Sequence, residues 1–104
     1  EPSKQINRAR SIAGIIAKQV TVEKYQLTGI PDKYSDSMYR YFLEIGGKKP
    51  TEKDSPERGD ELFVVCDSPC TIIGDPQWDI ALFAPTKIVG TWSHENVRIY
   101  KLVR

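Results

Sequence analysis

The sequence predicts a small α/β domain of two or three layers: a mainly parallel sheet of about four strands with three helices. Three observations carry that prediction. Near the N-terminus, apolar residues recur at helical spacing. In the middle, the run Glu61-Leu-Phe-Val-Val-Cys66 is apolar at almost every position, as a strand buried on both faces requires. Between them, turn-forming residues divide the chain into the order helix, strand, helix, strand, helix, strand, strand. The 104 residues amount to one domain, 1–104. With 39% hydrophobic and 28% charged residues the composition is globular. Lys plus Arg number 15 against 14 Asp plus Glu, a net charge of +1, which gives no electrostatic reason to expect nucleic acid as a partner. No apolar run approaches the roughly 18 residues of a membrane-spanning helix.

The elements follow in order. Ile6, Ala9, Ala13, Ile16 and Val20 are spaced 3, 4, 3, 4, and Ile12 and Ile15 widen the stripe, so a helix is predicted over about 4–19 with Ser3 as its N-cap. The β-branched run Val20-Thr21-Val22 leaves it. Lys24 to Ile30 alternates, with Tyr25, Leu27 and Gly29 on one face, and is closed by Pro31-Asp32. Ser35 or Asp36 then caps a second helix carrying Met38, Tyr39, Phe42, Leu43 and Ile45, and Gly46-Gly47 stops it. Residues 48–60 form a polar loop with a short edge strand near Pro50. After the buried strand at 61–66, Asp75-Pro76 starts a third helix bearing Trp78, Ala81, Leu82 and Phe83, ended near Pro85. Ile88–Trp92 and Val97–Val103 are the last strands, near enough across His94-Glu95-Asn96 to pair as an antiparallel hairpin at one edge.

Chemistry-bearing constellations are few. Cys66 and Cys70 form C-x3-C after the buried strand. That pair fits a disulfide closing a tight loop, two unpaired buried thiols, or metal or redox chemistry. Two cysteines and one histidine fall short of a four-ligand zinc site, and the spacing is not C-x-x-C. A triad-type nucleophile would have to use His94, which sits beside Glu95 in a turn. Gly46-Gly47-Lys48-Lys49 follows a helix, whereas a phosphate cradle precedes one. Asp75 and Asp79 are explained by capping and by helix position. Met38-Tyr39-Arg40-Tyr41-Phe42 is an aromatic-basic cluster suited to helix packing or to stacking on a cation or sugar. Ligands of open parallel sheets bind beyond the C-terminal strand ends. The candidate binding surface is therefore Ser35, Asp36, Tyr39, Arg40, Asp67 and Trp78. No catalytic residue, metal ligand or cofactor is assigned.

Several of these segments carry a family resemblance. Asp36-Ser-Met-Tyr-Arg-Tyr-Phe-Leu-Glu-Ile-Gly-Gly-Lys-Lys-Pro50 resembles a D-x-x-Y-R-Y-F-L-E-x-x-G-x-K-P stretch in the C-terminal soluble part of bacterial membrane glycosyltransferases of the dolichyl-phosphate-mannose-protein mannosyltransferase-like group. The run 61–70 resembles their Q-L-F-V-V-C-E-x-x-C strand and loop, and 76–83 their P-x-W-E-I-A-x-F helix. Trp92, followed by Val97 to Leu102, matches their closing pattern in the same order. The resemblance covers about 36–103, four motifs in register. It departs in the charged loop 51–60 and at Ala84-Pro85, where a Gly is expected after the Phe.

The resemblance implies a polytopic parent using a polyprenyl-phosphate sugar donor, with catalytic carboxylates in membrane-part loops that match no position here. This domain would be non-catalytic, face the extracytoplasmic side of a bacterial cytoplasmic membrane, and cover the active site or help hold the acceptor. That placement agrees with a Cys66–Cys70 disulfide. Its partners would be the membrane part of the same protein and a glycan or lipid-linked sugar. The start at Glu1 and the apolar strand running up to Arg104 fit a C-terminal domain of a larger protein. The alternatives are a stand-alone extracytoplasmic α/β module binding a small molecule or protein, and a small independent enzyme.

Overall fold

A computed structural model describes residues 2–30, 37–52, 56–67, 70–74 and 77–104. Seven elements follow the expected order: α1 (Pro2–Gln19), β1 (Tyr25–Ile30), α2 (Ser37–Ile45), β2 (Glu61–Cys66), α3 (Trp78–Phe83), β3 (Lys87–His94) and β4 (Val97–Val103). The four strands form one sheet in the order β1-β2-β4-β3.

Apolar residues of the sheet alternate between two cores. On one face Tyr25, Leu27, Phe63, Val65, Val97 and Ile99 meet Ala9, Ile12, Ala13 and Ile16 of α1 and Tyr39 and Leu43 of α2. On the other, Leu62, Val64, Cys66 and Leu102 meet Ile72 and the α3 residues Ile80 and Phe83. The layers are therefore three, two helices above the sheet and one short helix below. As its run of apolar residues predicts, β2 is buried along its whole length. Leu62, Phe63 and Val64 are fully inaccessible and join both cores.

The pairing differs from expectation in one respect. β1 and β2 pair in parallel, Tyr25 opposite Glu61 through Ile30 opposite Cys66. β4 is antiparallel both to β2 and to β3. Thus β1, β2 and β3 point the same way, but β4 is inserted between β2 and β3, and most of the pairing is antiparallel. The hairpin forms as expected, yet its second strand is interior and its first is the edge. The reason lies in side chains. β4 offers Val97 and Ile99 to one core and Leu102 to the other, whereas β3 has only exposed and half-buried positions. The strand that can bury both faces takes the inner place.

Smaller differences have local causes. α1 already includes Ser3, so that residue is not its cap; Pro2, with its preset φ, suits a first-turn position. Ile6 stays 40% exposed, a turn outside the buried part of the α1 stripe. No strand forms at Pro50: Pro50 is buried, and Thr51 gives β1 a single hydrogen bond, N–H to the Tyr25 carbonyl at 2.9 Å. α3 begins at Trp78, after Gln77, while the expected start at Asp75-Pro76 lies outside the described residues, as do the expected caps Ser35 and Asp36 and the Pro31-Asp32 stop. α3 ends at Ala84 in the left-handed conformation, φ 55° and ψ 61°, the cap that favours glycine. This is the position at which the family resemblance leads one to expect Gly.

Candidate functional site

The parallel pair β1–β2 directs two strand ends, Ile30 and Cys66, to one pole of the sheet. Of the residues expected there, Ser35 and Asp36 lie outside the described residues. Asp67 is exposed directly after β2. Trp78 opens α3, and its side chain is likewise outside what is described. The Cys66 and Cys70 sulfurs are at bonding distance, 1.95 Å, with Cα atoms 6.4 Å apart, so the two cysteines pair as a disulfide across the strand's end.

Tyr39 and Arg40 are set inward, along the outer edge of β1. Tyr39 is 9% exposed and belongs to the upper core. The Arg40 guanidinium bridges two carbonyls, donating from Nη2 to Leu27 O at 2.6 Å and from Nη1 to Thr51 O at 2.7 Å. On the same edge, Gln77 Nε2 donates to Gly29 O at 3.3 Å and to Thr28 Oγ1 at 2.9 Å. Together with the Thr51 amide on Tyr25 O, three alternate carbonyls of β1 (25, 27 and 29) receive donors from three different segments. Gln26 reaches back along the other face, its Oε1 accepting the Gly59 amide at 2.9 Å. Gly59 is obligatory: a Cβ there would stand 2.7 Å from Tyr25 Cα.

The opposite pole holds a buried polar network that sequence reasoning missed. Glu61, at the start of β2, accepts the Thr21 amide on Oε1 at 3.0 Å and the Thr21 hydroxyl on Oε2. Lys101 of β4 places Nζ 3.1 Å from Glu61 Oε2 and 2.8 Å from Gln19 O. Burial pushes the Glu61 carboxyl up, but the Thr21 hydrogen bonds and the Lys101 ammonium outweigh it and hold the group below its ordinary value. Nearby, the Tyr25 hydroxyl donates to Lys48 O. Burial raises it far above the ordinary tyrosine range, with Arg40 pulling weakly the other way, so it stays a neutral donor. Beside these groups lies an open cleft of about 700 Å³ between the Val20–Tyr25 connection and Gly47–Lys49. Two of its three rim lysines are engaged, Lys24 with Glu57 at 3.6 Å and Lys49 with Glu52 at 2.6 Å. The carboxylate is thus satisfied by three donors, and burial keeps the tyrosine a neutral donor.

Cation–aromatic stacking is realised with a different arginine from the one expected. Arg10 of α1, not Arg40, lies over the Phe42 ring at 5.2 Å from its centroid, and Tyr41 meets Phe42 edge-on at 5.2 Å. Tyr41 is 60% exposed. Beneath this array, α1 and α2 enclose an apolar groove of about 360 Å³ lined by Ala13, Gly14, Ala17 and Ile45. Arg10 and Glu61 gave no local signal; their roles exist only once α1 meets α2 and the 19–21 connection meets β2 and β4. Among the described residues no cluster of His, Cys, Asp or Glu could hold a metal ion, and no helix is long and apolar enough to cross a membrane.

Compared with family models, curated proteins and solved structures, the chain finds no match.

Proposed function

We propose that this chain is the non-catalytic soluble domain of a polytopic membrane glycosyltransferase that uses a polyprenyl-phosphate sugar donor. It lies on the extracytoplasmic face and covers the active site or positions the acceptor. The observation that supports this reading is the four-motif resemblance, taken with what the motif residues do in the fold. Arg40 of the first motif ties Leu27 to Thr51. The cysteines of the second motif pair. The third ends in Phe83, fully buried, and a left-handed Ala84. The fourth supplies Val97 and Ile99 to the core, with Trp92 packed against it. A motif whose polar residues are spent on backbone carbonyls specifies a scaffold, so a sequence sharing these motifs needs this scaffold and not a shared reactive group.

The test is the gene upstream of the Glu1 codon. A reading frame continuing into many apolar runs of about 20 residues is expected. A start codon or a lone signal peptide immediately upstream would overturn the reading and leave a free-standing binding module. Sugar transfer from a polyprenyl-phosphate donor by the isolated chain would overturn the non-catalytic role.

A further inference from the structure

We propose that the outer surface of α1 and α2 is a docking face for an anionic lipid surface. It does not rest on the glycosyltransferase reading; what carries it is the way charge and apolar area are distributed over the fold. α1 holds Lys4, Arg8, Arg10 and Lys18 and no acidic residue, while the whole chain is only +1, so everything outside α1 is net acidic. Arg10 and Lys18 are exposed and have no ion partner among the described residues; Arg8 reaches Glu95 at 4.0 Å. Beside this helix, α2 presents Met38, Tyr41 and Ile45, 41%, 60% and 67% exposed. Their spacing of 3 and 4 sets them in one row along the helix. Ile6 of α1 is a fourth exposed apolar side chain. Among the described residues, four of the seven large apolar side chains that meet solvent therefore belong to these two helices.

The cations and the apolar row form one surface. Arg10, Phe42 and Ile45 line the same groove between the helices. Arg10 lies over the Phe42 ring, and Tyr41 meets that ring edge-on. Lys18 stands one turn beyond Gly14 of the same lining. Glu44 is the single acidic residue of either helix. It sits about 200° round α2 from Phe42, on the side away from α1, and its charge is felt by Lys49. An apolar row flanked by cations, with the carboxylate turned away, matches hydrocarbon beneath a layer of anionic headgroups. Ile45 and Met38 would enter the acyl boundary. The Tyr41 hydroxyl would stay at headgroup level, and Arg10 and Lys18 would lie against phosphates. The face recognises by charge and apolar area alone, which a fluid lipid surface can satisfy without a fixed pattern of hydrogen bonds. A second copy docked face to face would instead set one all-basic helix against another.

The experiment is flotation of the chain with vesicles of equal parts phosphatidylglycerol and phosphatidylcholine, and with vesicles of phosphatidylcholine alone. Binding to the first is expected, weakening as salt is raised, with little binding to the second. Arg10→Gln and Lys18→Gln should each lower the partition roughly fivefold, and Ile45→Ser roughly tenfold. All three side chains are exposed, so the melting temperatures should stay near that of the unaltered chain. Ile88→Ser removes an exposed apolar side chain from the opposite face of the sheet, where Ile88 pairs with Leu102, and should leave the partition unchanged. An environment-sensitive fluorophore on Ile45→Cys should shift to the blue on the phosphatidylglycerol vesicles, and the same label on Ile88→Cys should not; the native cysteines are already paired. Absence of binding to the phosphatidylglycerol vesicles would overturn the proposal. So would equal binding to both kinds of vesicle, or binding that survives the three substitutions combined. Self-association that Ile45→Ser abolishes, without vesicle binding, would overturn it as well and assign the face to a second copy.

Discussion

The two edges of this sheet solve the same problem differently. Both β1 and β3 are terminal strands, and each leaves alternate backbone groups without a strand partner. β1 is sealed by side chains and loops from α2, from the segment at Thr51 and from Gln77, and it is buried over nearly its whole length. β3 is sealed by nothing comparable among the described residues. It carries instead a bulge and a terminal lysine, the devices that discourage unwanted pairing without forbidding it. The difference teaches where stability is stored. Substitutions on the β1 side remove partners from buried polar groups, whereas substitutions on the β3 edge touch groups already in water.

The largest effect is expected from Lys101→Met, on the inner strand β4 between the two edges. Lys101 and Glu61 have side chains 13% and 6% exposed, and removing the ammonium leaves the carboxylate buried with only Thr21 to hold it. A loss of about 3 kcal/mol in urea unfolding is expected. A loss under about 1 kcal/mol would show that water already reaches Glu61. Next comes Arg40→Leu, which strips the donor from Leu27 O and Thr51 O together; about 2–3 kcal/mol should be lost, read in the same titration. A near-neutral result would mean that β1 is not closed by this residue.

Glu61 also carries a pH signature. Its carboxyl titrates lower folded than unfolded, so its stabilisation is full above the ordinary value near 4.5 and is lost as pH falls through the lowered folded value. Glu61→Gln should therefore be less stable near neutrality and show a shallower fall in stability between pH 5 and the acid limit. An unchanged slope would assign the acid sensitivity to other carboxylates. Ala84→Gly relieves a left-handed conformation at the end of α3 and should raise stability by about 0.5–1 kcal/mol, seen as a higher melting temperature. The smallest effect belongs to the open edge: Thr91→Ser should leave the monomer within about 0.5 kcal/mol of the unaltered chain. A larger loss would show that β3's outer side is covered after all.

Element existence and order were legible because they are local. The 3, 4, 3, 4 spacing that marks α1 and the doubly buried β2 come from side-chain periodicity, which neighbours in sequence are enough to set. The short edge strand expected near Pro50 failed for the complementary reason. Its single bond to Tyr25 O depends on how α2 delivers the chain to β1, and no local pattern encodes that.

The candidate surface divides along the same line. Tyr39 and Arg40 sit together in sequence and in space, but whether they face a ligand or the sheet edge is a matter of how α2 is rolled against β1. In the fold Tyr39 is buried, and Arg40 bonds to the Leu27 carbonyl at the sheet edge. Arg10, Gln77 and Glu61 are polar residues without a motif, and each acquires a partner at least 32 positions away: Phe42, Thr28 and Lys101.

By itself, then, the amino-acid sequence determined the α/β class, the seven elements in their order, the hairpin and a cysteine spacing able to close a loop. Tertiary structure alone decided that β4 lies between β2 and β3, which edge is closed, and which charges are buried in pairs. The physical reason is range. Periodicity, capping and turn chemistry act within a few residues, while strand order and polar pairing follow from which faces can be buried together, a competition among segments far apart in the chain.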